Sequence, residues 1–137
     1  MAAVTSRARP SDPVRMIMST PVATVDPGST LLDVAGELLA DEVGAVLVSS
    51  GPGPVGLLSE RDLITVAATG DDLAVVQAGQ AMTADLTWAA PEASIREVGV
   101  LMLEAGVRHV PVGDGRRAVG VVSARDVLAV LLSVADR

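Results

Sequence analysis

The chain has 137 residues, half of them apolar and one in five charged, which fits one packed domain or two small fused halves and excludes intrinsic disorder. A formal net charge of −7, with no lysine, opposes nucleic-acid binding; no cysteine and one histidine exclude disulfides, thiol catalysis and thiolate or imidazole-rich metal sites. No apolar run approaches the roughly 18–20 residues that cross a bilayer, and Arg7, Arg9 and two prolines stand where a signal peptide needs an apolar stretch, so the expected location is the cytoplasm, away from membranes.

Residues 1–13 are small, polar and proline-bearing, and read as a mobile tail. The first repeat then spans residues 14–72: a helical turn at 14–18, an extended stretch at 22–25, and a helix at 31–41 capped by Ser29 or Thr30, with Leu31, Val34, Leu38 and Leu39 at helical spacing. Strands at 44–49 and 55–58 follow, joined by the turn SGPGP, and a helix at 60–68 closes the unit. The second repeat, residues 73–137, has the same order: helical at 76–82, extended at 86–89, helical at 94–105, strands at 108–112 and 119–122, helical at 124–134. In each, the first helix serves as crossover between parallel strands and the short turn makes the next pair an antiparallel hairpin. The last helix carries Val127, Leu128, Val130, Leu131 and Leu132 around most of its circumference, which predicts burial on two sides and hence a homodimer.

The order recurs because the sequence recurs. GLLSERDL from Gly56 returns as GVVSARDV from Gly120, and Met18 with Met82, Leu39 with Leu103 and Val46 with Val110 keep the same spacing of 64 without a gap. Duplicated units predict paired ligand sites.

Each copy carries Ser-x-Arg-Asp where strand becomes helix: Ser59, Arg61 and Asp62, then Ser123, Arg125 and Asp126. Two readings fit. Ser with an acidic residue three positions on is a capping box, closing the helix start. The same parts also make a nucleotide corner: free N–H groups at the helix start, a hydroxyl and a guanidinium for phosphate, and a carboxylate for vicinal hydroxyls. Capping leaves the repeated Arg unexplained, and Gly56 and Gly120 would permit close backbone approach. Trp88, the one aromatic residue, is expected to pack on the sister repeat or a second subunit. Catalysis is not expected, because no base stands beside either Ser.

With MSTPVATVDPGSTLLDVAGELL and GLLSERDL in the first copy, and MTADLTWAAPEASIREVGVLML, RHVPV and GVVSARDV in the second, each half resembles a CBS domain, after cystathionine beta-synthase, and the pair resembles a free-standing Bateman module. The resemblance implies a mixed α+β fold, two β-α-β-β-α repeats about a pseudo-two-fold axis, with clefts for an adenosine-containing ligand. It implies that Asp62 and Asp126 grip ribose hydroxyls and that Ser59 and Ser123 lie near ribose or phosphate. The base would contact the segments at 20–23 (Thr20, Val22, Ala23) and 84–87 (Ala84, Leu86, Thr87). Arg108 and His109 match the basic pair that the family places before its HPV-like strand, to hold phosphate; Gly44 and Ala45 stand there in the first copy, so the two clefts are unequal. The function implied is a regulatory sensor of AMP, ADP or ATP-like ligands with no required cofactor, acting as a homodimer on an unidentified protein target. The alternatives are a ligand-free dimerisation or interaction module and a binder of S-adenosylmethionine, NAD or a cyclic dinucleotide.

Overall fold

The computed structural model describes residues 8–135 and shows a mixed α+β chain divided into two compact units. One unit is continuous, Val22–Leu86; the other joins the residues before Val22 to those after Leu86.

In the continuous unit, β1 (Thr24–Val25) pairs parallel with β2 (Ala45–Ser49), which pairs antiparallel with β3 (Pro54–Ser59). Helix α1 (Leu31–Asp41) makes the crossover. Thr30 caps it by accepting the Asp33 N–H at 3.2 Å, and Leu31, Val34 and Leu38, spaced to share one face, are buried with Val46, Val48 and Leu58 of the sheet. Helix α2 (Glu60–Ala68) follows β3 directly, and the four-residue α3 (Ala78–Ala81) adds buried Ala78 to the same core. The Ala78 N–H is held by the Ser29 carbonyl at 2.7 Å.

The two-segment unit repeats the plan with helix α4 (Ile95–Ala105), hairpin β4 (His109–Gly113) and β5 (Ala118–Ser123), and helix α5 (Ala124–Ala135). Its core is Ile95, Val98 and Met102 of α4 against Val110, Val112 and Val122 of the hairpin and Val127 and Val130 of α5. Burying each such side chain contributes about 1.5–3 kcal/mol, so a core without Phe or Tyr is built from many β-branched residues. The stretch at 86–89 keeps a single parallel bridge, Ala89 to Val112, in place of a full strand.

Residues 8–13 are not loose. Ala8 is buried in this core, the carbonyls of Pro10 and Asp12 accept the Arg96 and Ile95 N–H groups at 3.0 and 2.9 Å, and Pro13 bridges Ser94. The segment supplies acceptors to the open N–H groups of α4, a use that small polar residues do not advertise. Residues 1–7 of the expected tail lie outside the described residues. Val14–Met16 then forms a 3-10 turn with Val14 buried.

Candidate functional site

Both Ser-x-Arg-Asp segments form the predicted caps. Ser59 donates its N–H to Asp62 Oδ2 at 2.8 Å and its hydroxyl to the same oxygen at 3.0 Å, while the Asp62 N–H donates to Ser59 Oγ at 3.3 Å. In the second corner Ser123 N–H reaches Asp126 Oδ2 at 2.9 Å and the Asp126 N–H reaches Ser123 Oγ at 3.0 Å. All four residues are half-buried, and Arg61 and Arg125 are exposed beside them. The capping bonds fall on one carboxylate oxygen in each case; Oδ1 accepts no hydrogen bond from the described residues. Capping and ligand binding are therefore compatible: the cap fixes the carboxylate and leaves its second oxygen available.

Strand pairing decides what stands next to each corner. Ala45 pairs with Ser59 and His109 with Ser123, and the first N–H of each following helix closes on the neighbouring carbonyl: Glu60 to Gly44 at 3.0 Å and Ala124 to Arg108 at 2.7 Å. Arg108 and His109 thus flank the Ser123 corner, whereas Gly44 and Ala45 flank the Ser59 corner. Arg108 is exposed and His109 half-buried.

The segments expected to contact a base divide between the units. Ser19 exchanges N–H to carbonyl bonds with Val121 of β5 at 2.8 and 3.2 Å, placing Thr20 in the unit of Arg108, His109, Ser123, Arg125 and Asp126, together with Thr87. Thr83 does the same with Leu57 of β3 at 2.9 and 3.0 Å, placing Ala84 and Leu86 with Ser59, Arg61 and Asp62. Val22 and Ala23 join that second group, and the Ala23 carbonyl accepts the Leu47 N–H at 3.0 Å. The segment leading into each repeat therefore pairs with the hairpin of the other repeat. No local pattern signals this exchange.

Three further residues have their surroundings set within the units. The space at Gly56 and Gly120 is taken from inside each unit: a Cβ there would fall under 3 Å from the Met82 or Met18 side chain. These glycines admit a methionine, because the paired leader lies directly over the strand, and at Gly120 the leader's backbone also comes close, with the Ser19 carbonyl oxygen 3.0 Å from where a Cβ would lie. Trp88 is half-buried. It lies against Gly113 of its own unit, where an added Cβ would sit 3.0 Å from Cζ3.

Among the described residues, no helix is long and apolar enough to cross a membrane, and no group of three His, Asp or Glu side chains is placed to hold a metal ion.

A model of the CBS domain matches residues 14–69 and again 78–133. The CBS domain-containing protein YhcV of Bacillus subtilis (strain 168) is 30% identical over 114 residues, 82% of this chain and 81% of that protein. Among solved structures, a putative signal-transduction protein with CBS domains from Burkholderia ambifaria superposes with a TM-score of 0.76 at 27% identity, covering 82% of this chain and 84% of that one. The CBS domain pair of protein MJ0100, in complex with 5'-methylthioadenosine and S-adenosyl-L-methionine, superposes with a TM-score of 0.81 at 22% identity, covering 93% and 100%.

Proposed function

The chain belongs to the CBS domain family, with two copies in tandem, and we propose that it is a non-catalytic regulatory module that binds an adenosine-containing ligand at its Ser-x-Arg-Asp corners. The observation that carries this reading is the carboxylate geometry found twice: Oδ2 of Asp62 and of Asp126 is held by the cap, and Oδ1 is left to accept from two ribose hydroxyls. The adjacent helix start and Ser hydroxyl suit a phosphate. The base is taken up by backbone groups and aliphatic surface at 20–23 and 84–87.

The two corners are not equivalent. Arg108 and His109 flank the Ser123 corner and favour a phosphate-bearing ligand of the AMP, ADP or ATP kind there, whereas Gly44 and Ala45 bring no charge to the Ser59 corner. S-adenosylmethionine, NAD and cyclic dinucleotides offer the same ribose and adenine. The first of these, with methylthioadenosine, occupies the MJ0100 pair. The module then acts in the cytoplasm as a homodimer on a protein target. Exposed Leu39 and Leu103 favour a second reading, in which the module serves dimerisation or docking and holds no ligand.

Calorimetry with AMP, ADP, ATP, adenosine and S-adenosylmethionine decides between them. Asp62→Asn and Asp126→Asn are the informative variants, because Asn keeps an oxygen for the cap while losing the carboxylate. Binding that Asp126→Asn abolishes is expected, and Arg108→Ala should weaken nucleotides about tenfold more than adenosine, the scale of one charged hydrogen bond. No binding of any adenosine compound, or binding unchanged in both Asn variants, refutes the ligand reading.

A further inference from the structure

With no cysteine, all of the chain's sulfur is in five methionines, at positions 1, 16, 18, 82 and 102. Met16 is 53% exposed and Met102 is core at 4%, whereas Met18 and Met82 are half-buried. The half-buried two match each other across the repeat and occupy the same setting.

Met18 precedes Ser19, which exchanges both backbone bonds with Val121, and its side chain fills the space over Gly120, where a Cβ would lie 2.7 Å from Met18 Cγ. Met82 precedes Thr83, which does the same with Leu57, and fills the space over Gly56 at the same 2.7 Å from its Cγ. Each bridge is isolated, outside any named strand. The thioether beside it supplies buried apolar contact, Met18 against the core of one unit and Met82 against that of the other.

Oxidation changes what sits in the notch. A sulfoxide adds an oxygen to a sulfur that has no room toward the strand, and it turns an apolar contact into a polar acceptor. The N–H groups of the adjoining bridge, Ser19 with Val121 and Thr83 with Leu57, are already spent on each other. An acceptor left unpaired there is relieved when the leader lifts off.

We propose that Met18 and Met82 are paired sites of reversible oxidation by hydrogen peroxide, and that their sulfoxides release the two leaders from β5 and β3. The thioether sulfur attacks one peroxide oxygen, the O–O bond breaks, and water leaves with the other oxygen and both protons; sulfur loses two electrons and peroxide gains them. A sulfoxide reductase of each epimer specificity, supplied with a dithiol, restores the thioether as the dithiol becomes a disulfide and the oxygen leaves as water. The latch belongs to the unliganded chain, so it stands or falls apart from the ligand reading above.

The full chain is treated with dilute hydrogen peroxide and followed by peptide mass mapping, amide hydrogen exchange and thermal melting. Beside it runs the double variant Met18→Leu with Met82→Leu, a swap of similar volume that cannot take up oxygen. Exposed Met16 is expected to oxidise first, Met18 and Met82 next, and buried Met102 last. Oxidation of the unaltered chain should lower the melting temperature by about 5–10 °C, the scale of an unpaired polar group in a chain of this size. It should also strip exchange protection from residues 17–21 and 82–84 while residues 109–113 keep theirs, and reductase treatment should restore both. The double variant should hold its melting temperature through the same treatment. Sulfoxide at Met102 in step with Met18 and Met82, resistance of both where Met16 is consumed, or an oxidised pair that melts like the untreated chain overturns the proposal. Reversal is read on the unaltered chain alone, so the test survives a double variant that fails to fold.

Discussion

The continuous unit and the two-segment unit share their hairpins, core positions and caps and differ in charge and in the turn that closes each hairpin. Residues 45–59 and 109–123 pair in the same register, each with its irregularity between the fourth and fifth pairs, before an equivalent capped helix. Yet the turn closing each hairpin is built differently. Ser49 bonds the carbonyls of Gly51 and Gly53 with its hydroxyl at 3.1 and 2.9 Å, whereas Gly113, its equivalent, lets the Arg117 carbonyl into the space a Cβ would occupy. Duplication preserved the scaffold because the scaffold depends on burial pattern and caps. It left free the residues whose role is local, and there charge and turn chemistry diverged.

The strongest test of that difference is to exchange the turn residues. Gly113→Ser places a side chain against the Arg117 backbone and Trp88, and should cost about 2–3 kcal/mol in urea unfolding, the range for overpacking against atoms that cannot move aside. Equal tolerance of Ser at both positions would show the two turns to be interchangeable.

A smaller effect is expected where α1 and α4 end. Both stop on a left-handed residue, Glu42 at φ 53° and Gly106 at φ 68°, and for the glutamate that conformation is strained. Glu42→Gly should stabilise by about 1 kcal/mol and Gly106→Glu should destabilise by about as much. A destabilising Glu42→Gly would show that the side chain makes up for its backbone.

The smallest effect is a pH dependence confined to one helix start. Ser94 and Glu97 form a reciprocal box, with bonds of 3.0 and 3.1 Å, whereas Thr30 and Asp33 make only one half of it. The Ser94 N–H, and after it the Ser94 hydroxyl, hold the Glu97 carboxyl below the ordinary glutamate value. Because the folded value is the lower one, this contribution is complete above the unfolded value and is lost as pH falls through the folded one. Melting temperatures followed from about pH 7 to about pH 3 should fall less steeply for Glu97→Gln than for the unaltered chain; identical slopes would count against the box.

Much of the site could be read along the chain because caps are local. Ser59 with Asp62 and Ser123 with Asp126 lie three residues apart, and the preference that joins them acts within one helical turn. Arg108 and His109 followed from the family resemblance of RHVPV, and Gly44 and Ala45 from the constant spacing of 64; strand register then set each pair beside its corner. What stands over the strands was not legible. Met18 and Met82 match each other across the repeat, but nothing within a few residues of either says that it covers the opposite repeat's glycine.

By itself the sequence determined the duplication, the order of the helices and hairpins and the two caps, since each rests on periodicity, spacing or residue type over short range. Tertiary structure alone decided that the leaders exchange repeats, that residues 8–13 serve α4, that glycines 56 and 120 admit methionines and that Trp88 closes on Gly113. Those outcomes depend on which distant segments bury the most surface together, and a pairing between residues about a hundred positions apart, such as Ser19 with Val121, leaves no local trace.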